Sequence, residues 1–282
     1  MKLGIMQGRL VPPEPGRFQS FPRRQWREEF AFAAAAGLET IEWIYDAYGE
    51  DVNPISTEEG AIEMQRLSAV HGVAVESVCA DWFMDFPLVD ADAQAARQRW
   101  RRLAWLMKRC GAMNIKRIVI PFVDASAIQG VAHAAAVAHG IGSLGEMIDL
   151  TNVELHLETA LTPSDFAALL ARIPHPRVKV NYDSGNSASL GYLPREEFSA
   201  YGDRVGSVHI KDRKRGAGTV ALGEGDTDFA ALFDSLAAAG YEGDFILQVA
   251  RGVEGDEVAW SKKNAGEARN MLRSLNAVAR AG

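Results

Sequence analysis

Short runs of β-branched and aliphatic residues alternate with longer stretches of helical periodicity from one end of the chain to the other. The runs that predict strands are Lys2–Gln7, Thr40–Ile44, Ala74–Cys79, Arg117–Phe122, Val153–Glu158, Val178–Tyr182, Val205–Ile210 and Phe245–Val249. Between them, Arg23–Ala36, Thr57–His71, Ala91–Cys110 and Asp228–Ala239 carry helical spacing. Gly37, Gly72, Gly111 and Gly240 stand where left-handed residues would close those helices. Eight β units separated by helices predict a single-domain α/β protein, a closed (β/α)8 TIM barrel spanning residues 1–282. A doubly wound open sheet would want a glycine-rich phosphate turn after the first strand. The segment MQGRLVPPEPG offers prolines there instead.

Strand side chains alternate in facing, so Glu154, His156 and Glu158 share one side while Val153, Leu155 and Leu157 share the other. Lys179, Asn181 and Asp183 alternate with aliphatic or aromatic neighbours in the same way, as do Ser207, His209 and Lys211. On the last strand Gln248 faces opposite to Leu247 and Val249. Four consecutive strands therefore send polar groups inward, where a barrel filled only for packing would use branched aliphatics. Burying so many ionisable groups is costly unless they pair or bind a cation. Glu154, His156 and Lys179 suit a buried ionic layer. Glu158, Asp183 and His209 hold the last inward positions of three successive strands, the end where barrel enzymes place their chemistry. Two carboxylates and one imidazole suit a single divalent ion: Mn²⁺, Mg²⁺, Co²⁺ or Zn²⁺.

Composition narrows the setting. The chain has 282 residues, 48% of them hydrophobic, enough for a sizeable core. A formal charge of −7 argues against a nucleic-acid or anionic-membrane surface. The two cysteines, Cys79 and Cys110, lack zinc-ligand spacing. Arg9 arrives too early for a signal peptide, and no run approaches the ~20 apolar residues of a membrane span. A cytoplasmic location is expected.

The segments Leu157-Glu158, Tyr182-Asp183-Ser184-Gly185-Asn186, Val208-His209-Ile210-Lys211-Asp212 and Leu222-Gly223-Glu224-Gly225-Asp226 resemble the motifs of the xylose-isomerase-like superfamily of sugar-phosphate isomerases and epimerases. Inosose dehydratase and endonuclease IV are more distant members. The resemblance covers essentially the whole barrel. It implies that Glu158, Asp183 and His209 ligate the metal, that Glu158 also handles a substrate proton, and that the substrate is a small sugar or sugar phosphate. Ketose 3-epimerases of this kind carry a second glutamate on the last strand as the opposite acid/base. Here that residue is Gln248, whose carbonyl can ligate a metal but whose amide exchanges no proton near neutral pH. Lys211, Glu42, Asp81 and Asp85 are the alternatives for that role.

Three functions stay open at this point: isomerisation or epimerisation through an enediolate, dehydration of a keto-sugar or inosose, and sugar binding without catalysis. An endonuclease IV-like activity lacks the histidines for a three-zinc cluster. Asn186, Glu42, Asp81 and Trp82 are expected to meet the substrate. The long first loop, Gly8 to Pro22, suits either a lid or a static cover. Aromatics at Trp43, Tyr45, Trp82, Phe83 and Phe86 suit either a sugar-stacking wall or a contact in a homo-oligomer. The basic run Lys211-Asp212-Arg213-Lys214-Arg215 follows strand seven, where barrels commonly bind phosphate, and Arg213 is the residue expected to grip an anion.

Overall fold

A computed structural model describes residues 1–89 and 92–278. Its strands are β1 (Leu3–Met6), β2 (Thr40–Ile44), β3 (Ala74–Cys79), β4 (Arg117–Phe122), β5 (Glu154–Thr159), β6 (Val178–Asp183), β7 (Val205–Ile210), β8 (Asp212–Arg213), β9 (Thr219–Val220) and β10 (Phe245–Leu247). All but β8 and β9 form one closed parallel barrel in the order β1-β10-β7-β6-β5-β4-β3-β2. The expected (β/α)8 barrel is what the chain builds. β8 and β9 make a small antiparallel hairpin above β7, pairing Asp212 with Val220. No helix among the described residues is long and apolar enough to cross a membrane.

The helices begin where the sequence supplies caps. Thr57 Oγ1 accepts from Gly60 N ahead of Glu58–His71, and Asp228 Oδ1 accepts from Ala231 N ahead of Phe229–Ala238. Asp92 caps Ala93–Ala112, and Ala91, expected as that helix's first residue, lies outside the described residues. The first helix starts late, at Glu28 rather than Arg23, because the residues after Pro22 form turns. Gly37, Gly72 and Gly240 do take positive φ at helix ends. Gly111 does not. It lies inside its helix, where a Cβ would meet the Thr151 carbonyl oxygen at 2.9 Å, and Asn114 takes the left-handed position instead (φ 58°). The missing side chain thus serves close helix–helix approach.

Aliphatic faces of the strands pack outward against the helices in one buried cluster that includes Ile41, Ile118, Leu155, Leu157, Val180, Val208 and Leu247. Trp43 belongs to it. Glu42 points into the barrel, so its neighbour Trp43 must point out, where it lies fully buried among Phe21, Trp26 and Phe30 with Nε1 donating to Asn53. Tyr45 is likewise fully buried. Neither can wall a sugar pocket.

Candidate metal centre and its cavity

The inward residues of β5, β6 and β7 stack in two layers. Below, Glu154 bonds His156 Nε2 at 2.9 Å and Lys179 Nζ at 2.7 Å. His156 Nδ1 lies 2.7 Å from Ser207 Oγ, which donates onward to Asn181 Oδ1. The expected ionic layer forms, buried at His156 and partly open to solvent at Glu154 and Lys179. Burial would raise the Glu154 pKa, but bonds from His156 and Lys179 more than offset it and hold it at about 2.

Two residues beyond His156, Asn181 and Ser207 stand Glu158, Asp183 and His209, all buried. The register pairs Asp183 directly with His209. His209 Nδ1 lies 3.4 Å from Glu158 Oε2 and 3.8 Å from Asp183 Oδ2. One oxygen or nitrogen from each residue falls within 4.8 Å of the others. A cation about 2.0–2.2 Å from each donor needs separations of roughly 3–4 Å, so these side chains fit one metal ion with little movement. The other imidazole nitrogen, Nε2, donates to Glu42 Oε1 at 2.7 Å. That bond fixes the tautomer and aims Nδ1 at the carboxylates, an arrangement typical of metal-ligating histidines.

Charge in the upper layer is unbalanced toward the negative. Burial would lower the His209 pKa, but Glu42, Asp183 and Glu158 together lift it to about 10. Burial and the Asp183 charge raise Glu158, outweighing the pull of His209 and Lys211. Burial also acts upward on Asp183, yet Lys211 and His209 draw it below the usual carboxylate range. A positive charge beside Nδ1 is what this pocket calls for, and a proton or a metal ion supplies it.

Around the cluster, Asn181 Nδ2 donates to Glu158 Oε2 at 2.9 Å and Asn186 Nδ2 to Glu158 Oε1 at 2.7 Å. Asp183 caps the helix Ser184–Leu190 by accepting from Asn186 N. Lys211 Nζ donates to Asp183 Oδ2 (3.3 Å), Asn186 Oδ1 (3.3 Å) and Gln248 Oε1 (3.1 Å). Gly185 lets that side chain pass: a Cβ there would sit 2.7 Å from Lys211 Cγ. Asp212, also buried, turns back to accept from Gly223 N, Gly225 N and Thr227 N. The Leu222–Asp226 motif is therefore the anchor of the loop that carries Lys211 and Arg213.

A cavity of about 290 Å³ opens above the cluster, lined by Glu158, Asn186, Lys211, Arg213, Gln248 and Asp81 together with Phe18, Gln19, Met84 and others. Its size suits a small polar molecule. Arg213 reaches it with Nη1 on Asn186 Oδ1 (2.8 Å) and Nε and Nη2 on Ala217 O. The first loop is a pinned cover. Arg9 and Arg251 both donate to Phe18 O, and Arg251 also holds Gly8 O and Val11 O. Gln19, which no pattern in the sequence singled out, bridges the cavity's edge: Nε2 donates to Asp81 Oδ2 at 2.8 Å while Oε1 accepts from Arg9 and Gln248.

Two expected substrate contacts need correction. Glu42 is fully buried behind His209 and does not reach the cavity. Trp82 packs on Phe86 (4.4 Å between rings) and donates to Glu50, pointing away from the cavity that Met84 lines. The helix Trp82–Asp85 turns successive side chains about 100° apart, so Met84 lines the cavity while Trp82, Phe83 and Phe86 do not. Asp85 is exposed and is not among the cavity's lining residues.

A family model described as xylose isomerase-like TIM barrel matches residues 30–275. An L-ribulose-5-phosphate 3-epimerase of Shigella flexneri serotype 5b is 24% identical, the alignment covering 79% of this chain and 82% of that protein. An L-ribulose-5-phosphate 3-epimerase of Escherichia coli (strain ATCC 8739) is 22% identical over 79% of this chain and 82% of its own. Among solved structures, an L-ribulose 3-epimerase superposes with a TM-score of 0.77 at 18% identity, covering 99% of this chain and 97% of that one. The IOLI protein with a bound zinc atom gives 0.74 at 13%, covering 98% of each. A Mycobacterium smegmatis protein in complex with magnesium gives 0.70 at 17%, covering 97% of each. At such identities these structural likenesses speak for the fold.

Proposed function

The chain belongs to the xylose isomerase-like TIM barrel family, and from that membership we propose that it isomerises or epimerises a ketose or ketose phosphate, with Glu158 as the base and Glu158, Asp183 and His209 holding one divalent ion. The observation that carries this reading is the buried Glu158, Asp183, His209 cluster at metal-bonding separations, opening onto a cavity for a small polar molecule. The 3-epimerase activity named for the curated relatives supports the reaction class. A divalent cation bound there would polarise a ketose carbonyl and acidify the neighbouring C–H. Mn²⁺, Mg²⁺, Co²⁺ and Zn²⁺ all suit the donor set.

Glu158 suits proton abstraction because burial and Asp183 raise its pKa toward neutrality, while Asn181 and Asn186 hold its two oxygens in one orientation. The Lys211 ammonium, donating to three oxygens, is placed to stabilise negative charge developing on the substrate. Gln248 offers a carbonyl oxygen that shares Lys211 Nζ with Asp183, a fourth donor for the cation. Arg213 and Lys211 form the basic end of the cavity, where the phosphate of a sugar phosphate fits.

Metal analysis tests the ligand set. The wild-type protein should carry about one divalent ion per chain, and Asp183→Ala should lose it with the circular dichroism spectrum unchanged. Stoichiometric metal in that variant removes the assignment. A keto-sugar panel in D₂O tests the reaction: solvent deuterium incorporated without loss of water supports isomerisation or epimerisation, and release of water identifies a dehydratase. The second outcome has its own support in Gln248, since an amide on the last strand cannot act as a second acid/base.

A further inference from the structure

Epimerisation needs two proton carriers, because a lone base returns the proton to the face it left. Glu158 is one, and Gln248 cannot be the other. The titratable groups lining the cavity, among the described residues, are Cys79, Asp81, Asp124, Glu158, Lys211 and Arg213. Arg213 does not deprotonate in proteins. Lys211 donates to Asp183 and Gln248 and to Asn186, which also holds Glu158, so it stands on the Glu158 side of the cavity. Cys79 is itself a donor, to Asp81 Oδ1 at 3.1 Å. Asp124 is exposed at the rim.

Asp81 remains. It follows the end of β3, and β4 separates that strand from β5, so it reaches the cavity from a different wall than Glu158. Its hydrogen-bond partners among the described residues are neutral: Gln19 Nε2 on Oδ2 and Cys79 Sγ on Oδ1. Gln19 is in turn oriented by Arg9 and Gln248, so the pinned first loop fixes the direction of the carboxyl. Resting on the epimerase reading above, we propose that Asp81 is the second proton carrier, delivering a proton to the face of the enediolate turned away from Glu158.

The proton balance closes without a further reactant. Glu158 takes the proton from the carbon beside the carbonyl, and the C–H electron pair passes into the enediolate. The Asp81 carboxyl gives its proton to the other face of that carbon, and the enediolate pair forms the new C–H bond. Glu158 ends protonated and Asp81 ionised, and exchange with water resets both. Burial, with the nearby Asp46 and Glu42 charges adding to it, raises the Asp81 pKa, which favours the protonated donor.

The test uses the metal-loaded wild type and Asp81→Asn with ketopentoses, ketohexoses and their phosphates in D₂O, followed by NMR. Asp81→Asn should lose epimer formation by about 100- to 10 000-fold while still exchanging the proton of the epimer that Glu158 attacks, with its configuration retained. Unchanged metal content and melting temperature establish that the variant is folded, and Asp81→Glu should recover part of the epimerisation. Equal loss of exchange and epimerisation in folded Asp81→Asn overturns the inference, as does wild-type epimerisation in that variant. A wild type silent across the whole panel overturns the epimerase reading, and the inference with it.

Discussion

At the lower end of β5 to β7, Glu154, His156 and Lys179 fill the barrel with charge that is matched group for group, and Arg117 meets Asp244 beside them at 3.0 Å. Two to four residues further along the same strands, Glu158, Asp183 and His209 gather with Glu42 in a layer whose carboxylates outnumber its cations. Backbone and facing are alike, so strand geometry alone cannot account for the difference, although Glu154 and Lys179 are partly open to solvent and the upper groups are buried. The lower layer satisfies itself, and such layers fix packing. The upper layer is satisfied only by a further positive charge. Polar residues inside a barrel therefore indicate function when their charges fail to cancel, rather than by being polar.

Removing charge from each layer should break this contrast in opposite ways. The largest effect expected is at Glu42, which never touches the cavity. Glu42→Gln weakens the bond that aims His209 Nδ1, and metal affinity, measured by titration with a chelator, should fall about 10- to 100-fold. Unchanged affinity would detach Glu42 from the metal centre. Next comes the basic edge of the cavity. Arg213→Ala should raise KM for a ketose phosphate about 10-fold or more, by the loss of a charge-assisted bond, while leaving KM for the free ketose nearly unchanged. Equal changes for both would leave Arg213 as support for Asn186 and the Ala217 turn, which it already holds.

The smallest catalytic effect should come from the lower layer. Glu154→Gln should leave kcat and metal content intact and lower stability by about 1–3 kcal/mol at pH 7, read from chemical denaturation. Its pH dependence has a defined sign. The folded-state pKa of Glu154 is depressed from 4.5 to about 2, so its contribution is complete above pH 4.5 and disappears as pH falls through 2. The gap between wild type and variant should close over that range. A catalytic defect in Glu154→Gln would show that the two layers are coupled and sink the contrast.

What the sequence determined by itself was whatever depends on period and position. Period-two alternation placed Glu154, His156, Glu158, Asp183 and His209 on one side of their strands, and the order of strands and helices required the barrel. Asn181 was legible in the same way, between Lys179 and Asp183, although its hold on Glu158 was not. Alternation also carried the information that Trp43 must point away from the barrel once Glu42 points into it. The tertiary structure alone decided the rest. Gln19 lies on an irregular loop with no period, and it reaches Asp81, 62 positions away, only because the barrel closes beneath the loop. Glu42 meets His209 across 167 residues, and the turn of the short helix after β3 aims Met84 at the cavity and Trp82 away from it. Local pattern fixes which way a side chain faces on its own strand. Which partner stands opposite is set by barrel closure and loop path, which bring together residues far apart in the chain.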